Sequence, residues 1–322
     1  MAGFRQRRTA NPEHLSPAPC HCMSWTPPLH LFAYVGVYSG ALFLALHRMK
    51  KAGGRFPVPE DVKVARQPGE HLTRQLRKIW DKMPEEFAVH FLLPLVLGAI
   101  PLWAGQWLPR SWSLGVVIAA AVLLIAGLLT TIRRLVRRAR KIRALRMAIY
   151  GERVTGDALE ELKTDGCRVY HDVPCVGGGG RFNLDHVVVG GGAVTVVETK
   201  TRRKKCGKEG GADHRVIYDG TALCWPWGAD AKPVEQASRS AQWLEERLKK
   251  ELNLTVAVRP VLSIPGWFVE SRSKSPVLAV NQKQLATTIR HQCRGDLTPE
   301  QEELIARHLA AMCRDVDYMA LE

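Results

Sequence analysis

Residues 182–200 read FNLDHVVVGGGAVTVVETK, and this stretch decides the fold of the second half of the chain. Two β-rich runs, 182–189 and 193–197, flank three consecutive glycines. Glycine tolerates the positive φ angles of a tight turn, and runs of this length and composition are typical of strands. The stretch therefore predicts a β-hairpin whose turn is formed by 190–192.

Charged side chains lie at one end of this predicted hairpin. Asp185 is on the first strand, and Glu198 and Lys200 are at the end of the second. Residues two apart on a strand project from the same face, and the short turn brings Asp185 alongside them. Paired carboxylates suit Mg²⁺, which keeps water ligands and shares phosphate oxygens with a substrate. We predict that Asp185 and Glu198 bind the ion, and that Lys200 orients the attacking water or stabilises the phosphate.

A basic run follows the second strand directly, and its cations can contact the phosphates of a nucleic acid. It consists of Arg202, Arg203, Lys204 and Lys205. The alternative for both features is ordinary solvated charge at a strand end and in a loop. The apolar strand that leads into Glu198, with the basic run immediately after it, favours a functional site.

The sequence on either side of the hairpin alternates between helix and strand signals, which predicts an α/β domain beginning near residue 150. We predict a second hairpin around Asp219–Gly220, because this dipeptide favours tight turns. The other predicted elements are helices over 152–164, 233–252 and from Pro299 toward Met319, and strands over 167–176, 256–264 and 277–280.

The first half of the chain contains three apolar stretches, over 31–46, 87–108 and 113–132. A helix needs roughly 20 apolar residues to span a bilayer. The third stretch meets this length and is apolar on every side, whereas the first is short and the second contains His90 and two prolines. The alternative is a buried helical hairpin in a soluble protein. Spanning helices are the stronger prediction, because all three stretches have charged, proline or tryptophan flanks.

Basic residues predict the orientation of these spans. The chain has 46 Lys+Arg against 31 Asp+Glu, a formal net charge of +15, and many of these cations lie between 133 and 146 or between 48 and 82. Cations next to spans stay on the cytoplasmic side and attract anionic lipid headgroups. We therefore predict an integral membrane protein of the plasma or inner membrane, with membrane lipid as a partner and a cytoplasmic C-terminal domain.

Several ordered blocks in the second half resemble the nuclease-related domain (NERD) family. The resemblance covers about 149–252 and includes Gly151-Glu152, Leu159 and Leu162, the NLDHVVV of 183–189, the VVETK of 196–200, and Pro233 with Gln236. It implies a fold similar to the PD-(D/E)xK nucleases: an α/β, restriction-endonuclease-like mixed sheet flanked by helices, here preceded by an all-α transmembrane segment.

The same resemblance implies roles for individual residues. Asp185 and Glu198 match the metal-binding acids, Lys200 the catalytic lysine, and Glu152 the acid of the first helix. Gln236 matches a glutamine near the active site, although a solvent-facing position on its helix is an equal alternative. Two departures, Lys232 where the pattern suggests Asn and the Gly- and Lys-rich segment 202–213, bear on how the substrate is handled.

The sequence thus predicts a membrane-anchored nuclease that uses Mg²⁺ or Mn²⁺ and acts on nucleic acid, with DNA favoured over RNA by family analogy. Its predicted parts are a polar tail (1–28), a transmembrane region of about three helices (29–132), a basic juxtamembrane helix (133–148) and the nuclease domain (149–322). The alternatives are a non-catalytic nucleic-acid-binding or scaffold module of the same fold, and a membrane protein whose spans carry the function.

Overall fold

The computed structural model describes residues 63–107, 109–177, 180–204 and 214–317, with a few isolated positions between 36 and 48. The chain divides into two units, Met1–Arg55 and Phe56–Glu322. The predicted tail 1–28 lies outside the described residues, as does nearly all of the first apolar stretch. The elements below belong to the second unit.

Five helices and eleven strands make up the described part of this unit. The helices are α1 (Glu70–Ala104), α2 (Ser113–Glu160), α3 (Lys232–Leu252), α4 (Gln282–Gln292) and α5 (Pro299–Cys313). The strands are β1 (Lys63–Ala65), β2 (Arg168–Gly177), β3 (Gly180–Gly190), β4 (Ala193–Thr199), β5 (Arg215–Tyr218), β6 (Leu223–Trp225), β7 (Gly228–Asp230), β8 (Val258–Ser263), β9 (Phe268–Ser271), β10 (Leu278–Val280) and β11 (Arg314–Asp317).

The central sheet has five strands in the order β10-β8-β4-β3-β2. Strands β2, β3 and β4 are antiparallel neighbours, whereas β4, β8 and β10 run parallel. A four-stranded sheet has the order β7-β6-β5-β9, and β1 pairs with β11. The predicted α/β fold with a mixed sheet flanked by helices is confirmed.

Apolar side chains cover both faces of the central sheet. On one face, Leu184, Val187 and Val196 pack with Leu244 of α3 and Ile305 of α5 in a single buried cluster. On the other face, a second cluster joins the sheet to the end of α2 and to α4. Because β3 and β4 are covered on both faces, their central segments 187–189 and 193–197 are apolar except for Thr195. A polar residue within them therefore stands out in the sequence.

The predicted hairpin forms as β3 and β4. Its turn contains Gly191 and Gly192 with φ angles of 67° and 77°, in the left-handed region that favours glycine. Gly192 also lies against the backbone carbonyl of Gly295, and a Cβ at position 192 would overlap that group. The turn therefore requires glycine at position 192 both for its conformation and for its packing.

Helices α1 and α2 form a long antiparallel helical hairpin. Gly105 faces Val116 near the turn, Gly127 faces Pro94 midway, and Gly69 faces Ile149 at the far end. The small glycines allow the two backbones to approach closely. Helix α2 is continuous, so it contains the apolar stretch 113–132, the basic stretch 133–148 and the start of the helix predicted from 152.

Ser113–Asp165, which comprises α2 and the short 3-10 helix after it, is long and apolar enough to cross a membrane, the one such segment among the described residues. Its apolar side chains are largely uncovered, as Leu114 (71% exposed) and Val122 (58%) illustrate. Of the second predicted span, 87–108, residues 87–104 belong to α1 and 105–107 form a 3-10 helix, while Leu108 and several side chains lie outside the described part of the chain.

The structure differs from the sequence prediction at three places. The final helix ends at Cys313 rather than continuing toward Met319, because Arg314–Asp317 pairs with β1. Helix α4 and the short strands β7 and β9 were not predicted, because each presents few apolar residues in a periodic pattern. Helix α1 begins at Glu70, well before the apolar residues that marked the predicted span.

Candidate functional site

The β3–β4 hairpin brings Asp185 and Glu198 together. His186 pairs with Val197, so the next position of this register sets Asp185 opposite Glu198. Residues directly opposite each other in an antiparallel pair project from the same side of the sheet. The backbone N–H of Thr199 donates a hydrogen bond to Asp185 Oδ2 at 2.7 Å. Both carboxyl groups are buried, with Asp185 8% and Glu198 3% exposed.

Glu152 joins these two acids from α2. It is buried, and its pKa is raised to about 9, first by burial and then by the negative charges of Asp185, Asp172 and Glu198. The same turn of α2 packs on the end of β4, because Gly151 contacts the side chain of Thr201. The sequence prediction named Glu152, Asp185 and Glu198, and electrostatic coupling connects all three.

Burial and mutual repulsion disfavour the charged forms of these acids. Burial raises the pKa of Asp185 to about 6, against the hydrogen bond from Thr199 and the charge of His71, which lower it. Burial also raises the pKa of Glu198 well above its ordinary value, and the charge of Asp185 adds to the effect. Lys200 lowers the pKa of both groups. Several buried carboxyl groups next to few cations form a site that a divalent cation would stabilise.

Asp172 is a fourth acid, which the sequence analysis missed. It lies on β2 between His171 and Val173, which pair with His186 and Leu184, so its register position is opposite Asp185. It is fully buried and has a φ of 50°, which is uncommon outside glycine. An aspartate within a strand that buries its apolar neighbours was the signal that could have revealed it.

Hydrogen bonds from three residues hold the Asp172 carboxylate. Arg66 Nη1 donates to Oδ2 at 3.1 Å and to the backbone carbonyl at 2.8 Å. The backbone N–H of His71 donates to Oδ2 at 2.9 Å, and Asn183 donates to Oδ1 at 2.7 Å. The His71 ring also pairs with Oδ1. Asp172 therefore fixes the start of α1 against β2, beside the other acids.

Two observations test whether these residues suit a metal ion. The Oε2 atoms of Glu152 and Glu198 are buried and have no hydrogen-bond partner in the described part of the chain. Ligand atoms of His71, Glu152 and Asp172 lie within 4.8 Å of one another. Of the predicted acids, only Glu152 belongs to this group of three. Asp172 already accepts hydrogen bonds from Arg66, His71 and Asn183, whereas the described residues offer no donor to the orphaned oxygens of Glu152 and Glu198. An oxygen donor set of this kind fits Mg²⁺ or Mn²⁺.

The other predicted site residues lie at the margin of this cluster. Lys200 follows β4, and its backbone N–H donates to the Ser263 carbonyl at 2.8 Å. Gln236 is half-buried in the first turns of α3, and among the described contacts none joins it to the acids. His186, which was not a predicted site residue, is buried next to Asp185, and its Nδ1 lies 2.8 Å from His171 Nδ1.

The predicted phosphate-binding run begins directly after Lys200. Arg202 forms an ion pair with Asp230 at 3.0 Å, whereas Arg203 and Lys204 are exposed. Lys205 lies outside the described residues. The run therefore leaves the acidic site along the edge of the smaller sheet.

This part of the chain is a nuclease-like α/β domain. It combines a mixed sheet with acids from adjacent strands, one acid from a preceding helix and a lysine two residues after Glu198. Residues 148–265 match the family model of the nuclease-related domain (NERD). The predicted resemblance is thus confirmed, and the match extends it through β8. No curated protein and no solved structure matches the chain.

Proposed function

We propose that this protein is a membrane-anchored, metal-dependent nuclease that hydrolyses phosphodiester bonds of DNA on the cytoplasmic side of a membrane. The observation that carries the proposal is the set of buried carboxyl groups on the β3–β4 hairpin and α2, two of which have oxygens without a partner among the described residues. Within a NERD domain, such a set is suited to hold a hard divalent cation next to a phosphate.

Each residue has a distinct role in the proposed reaction. Asp185 and Glu198 hold the ion, and Glu152 completes the oxygen ligands from α2. A divalent ion held there would supply a water of lowered pKa and would offset charge that develops on the phosphate. Lys200, which is close enough to lower the pKa of Asp185 and Glu198, positions that water or the phosphate. Gln236 is a further candidate for positioning the substrate.

Two features of α2 support the membrane anchor. Most of the apolar side chains in its first twenty residues are exposed in the described fold, and lipid is the solvent that accepts such a surface. Eight cations follow between 133 and 146, where they would meet anionic headgroups. This arrangement supports a cytoplasmic position of the NERD domain, which protease digestion of inverted and right-side-out vesicles would test.

A cleavage assay with the full-length protein in detergent tests the proposed activity. Supercoiled plasmid is incubated with a titration of Mg²⁺ or Mn²⁺, and Asp185→Asn and Glu198→Gln are compared with Glu246→Gln. Glu246 is exposed on α3, so its variant removes one negative charge away from the site. We expect metal-dependent nicking by the wild type and by Glu246→Gln, and its loss in the other two variants.

The outcomes of this assay separate nuclease from binding module. Salt-sensitive binding of DNA without cleavage in either metal would favour a non-catalytic nucleic-acid-binding module. Undiminished cleavage by Asp185→Asn and Glu198→Gln would move the active site elsewhere in the chain.

A further inference from the structure

A cluster of three tryptophans lies next to the chain segment that follows Lys200. Trp225 and Trp227 belong to the β6–β7 hairpin, and Trp267 precedes β9. The rings of Trp225 and Trp227 stack with centroids 5.6 Å apart, and the Trp267 ring stands edge-on to both at 4.9 and 5.5 Å. We call these three residues the tryptophan cluster.

The tryptophan cluster contacts the basic run that follows Lys200. Trp267 Nε1 donates a hydrogen bond to the Arg202 carbonyl at 3.0 Å, and Lys204 Nζ lies 5.9 Å from the centre of the Trp267 ring. The Arg202 side chain reaches Asp230, three residues after Trp227. A chain segment that begins at the proposed catalytic lysine thus runs directly over the cluster.

Exposure differs sharply within the cluster. Trp225 and Trp267 are 5% and 2% exposed, whereas Trp227 is 39% exposed. The two buried rings fix the third, which sits in the two-residue turn between β6 and β7. A rigid, partly exposed indole loses little conformational entropy when a flat ligand stacks on it.

Cations next to an aromatic face are suited to one kind of ligand. Arg203 and Lys204 supply positive charge for phosphates, and the Trp227 ring supplies a surface for a planar base. In a duplex both faces of each base are already stacked, so a duplex can use the cations but not the ring. A strand with unpaired bases can use both.

We infer that the tryptophan cluster, with Arg203 and Lys204, is a binding platform for single-stranded DNA that leads its backbone toward Lys200. This inference rests on the proposed function and deepens it, because it specifies the strand form of the substrate. An unpaired base stacks on Trp227, and the neighbouring phosphates meet Arg203 and Lys204. The platform binds independently of the metal, since none of its residues is a proposed ligand.

Binding measurements on the full-length protein in detergent test the platform. Fluorescently labelled oligonucleotide and duplex of equal length are titrated in EDTA, which prevents cleavage. Trp227→Ala should weaken binding of the single strand by about tenfold, the effect expected when one stacked base is lost, and leave duplex binding unchanged. Arg203→Ala/Lys204→Ala should weaken both complexes and reduce the salt dependence of both affinities.

Two further variants control for folding and for exposed aromatic surface in general. Trp227→Phe keeps a stacking ring and should retain most of the affinity. Phe268 is 50% exposed and its ring lies against Arg215, so Phe268→Ala should bind like the wild type. A thermal melt of each variant shows that the fold is intact.

Three results would overturn the inference: equal loss of duplex and single-strand binding in Trp227→Ala, unchanged single-strand affinity in that variant, or duplex preference in the wild type. These results are distinguishable from failure of the nuclease proposal, because binding in EDTA requires neither metal nor cleavage. A protein that binds single strands through Trp227 but cuts nothing would refute the proposed activity alone.

Discussion

Replacing Glu152 by glutamine should stabilise the metal-free protein, by an amount that grows with pH. Glutamine keeps the shape of the side chain and an acceptor for the backbone N–H of Gly69, but it cannot ionise. Glu152 has an ordinary pKa of 4.5 and a pKa of about 9 in the folded protein. Between pH 4.5 and pH 9, Glu152 is therefore protonated in the folded protein and ionised in the unfolded chain.

The magnitude follows from proton linkage. Because the pKa of Glu152 is raised in the folded protein, its contribution to the free energy of unfolding is full below pH 4.5 and is lost as pH rises toward 9. Each pH unit in this window costs about 1.4 kcal/mol. At pH 7 the wild type should therefore be about 3 kcal/mol less stable than Glu152→Gln. At pH 5 this difference should be smaller than about 1 kcal/mol. For a domain of this size, 3 kcal/mol corresponds to roughly 6–12 °C in melting temperature.

Thermal unfolding of the full-length protein in detergent and EDTA, from pH 5 to pH 8, provides the measurement. Glu246→Gln, which removes an exposed charge, should show a difference from wild type that hardly varies with pH. Saturating Mg²⁺ should raise the melting temperature of the wild type more than that of Glu152→Gln, because the variant lacks one proposed ligand. A difference between Glu152→Gln and wild type that stays constant across the pH range, or a variant that is less stable at pH 8, would refute the reasoning.

Two further predictions concern the surroundings of the site. Arg66→Ala should lower the free energy of unfolding by about 3–5 kcal/mol, because it leaves the buried Asp172 carboxylate without its main cation, and Arg66→Ala/Asp172→Asn should recover part of the loss in the same denaturation experiment. Gly151→Ala should reduce plasmid cleavage, because the added methyl overlaps Thr201 Cγ2 and displaces the segment after Lys200. Thr201→Ser removes that methyl, so Gly151→Ala/Thr201→Ser should cleave better than Gly151→Ala alone.

The central hairpin could be predicted from sequence because its signals are local. Strand composition and a run of glycines define β3 and β4, and the spacing of Asp185, Glu198 and Lys200 within them fixes their common side. Helix α3 was likewise predictable, since Ala237, Ala241, Leu244 and Leu248 recur at helical spacing and are all buried. Its observed start is within one residue of the prediction.

The contacts around Asp172 could not be predicted, because they join segments far apart in the chain. Arg66 and Asp172 are 106 residues apart, and no local pattern specifies that pairing. Asn281, which caps the start of α4, was a local signal for a helix. The helix was still not predicted, because the residues after Asn281 include few apolar ones. The early start of α1 was missed because only continuous apolar stretches marked the predicted spans, whereas segment 70–82 is amphipathic, with Leu72, Leu76 and Ile79 at helical spacing.

Because α2 is continuous, Glu152 lies on the same helix as the apolar stretch and is mechanically connected to it. Twenty residues separate Ile132, at the end of the apolar stretch, from Glu152, and a straight helix covers that separation in about 30 Å. A helix of this kind resists bending, so a tilt or axial rotation at its apolar end moves the Glu152 carboxylate relative to the hairpin acids. In the proposed membrane-anchored nuclease, bilayer thickness and lateral tension would then change the distances between the proposed metal ligands, and with them the rate of hydrolysis.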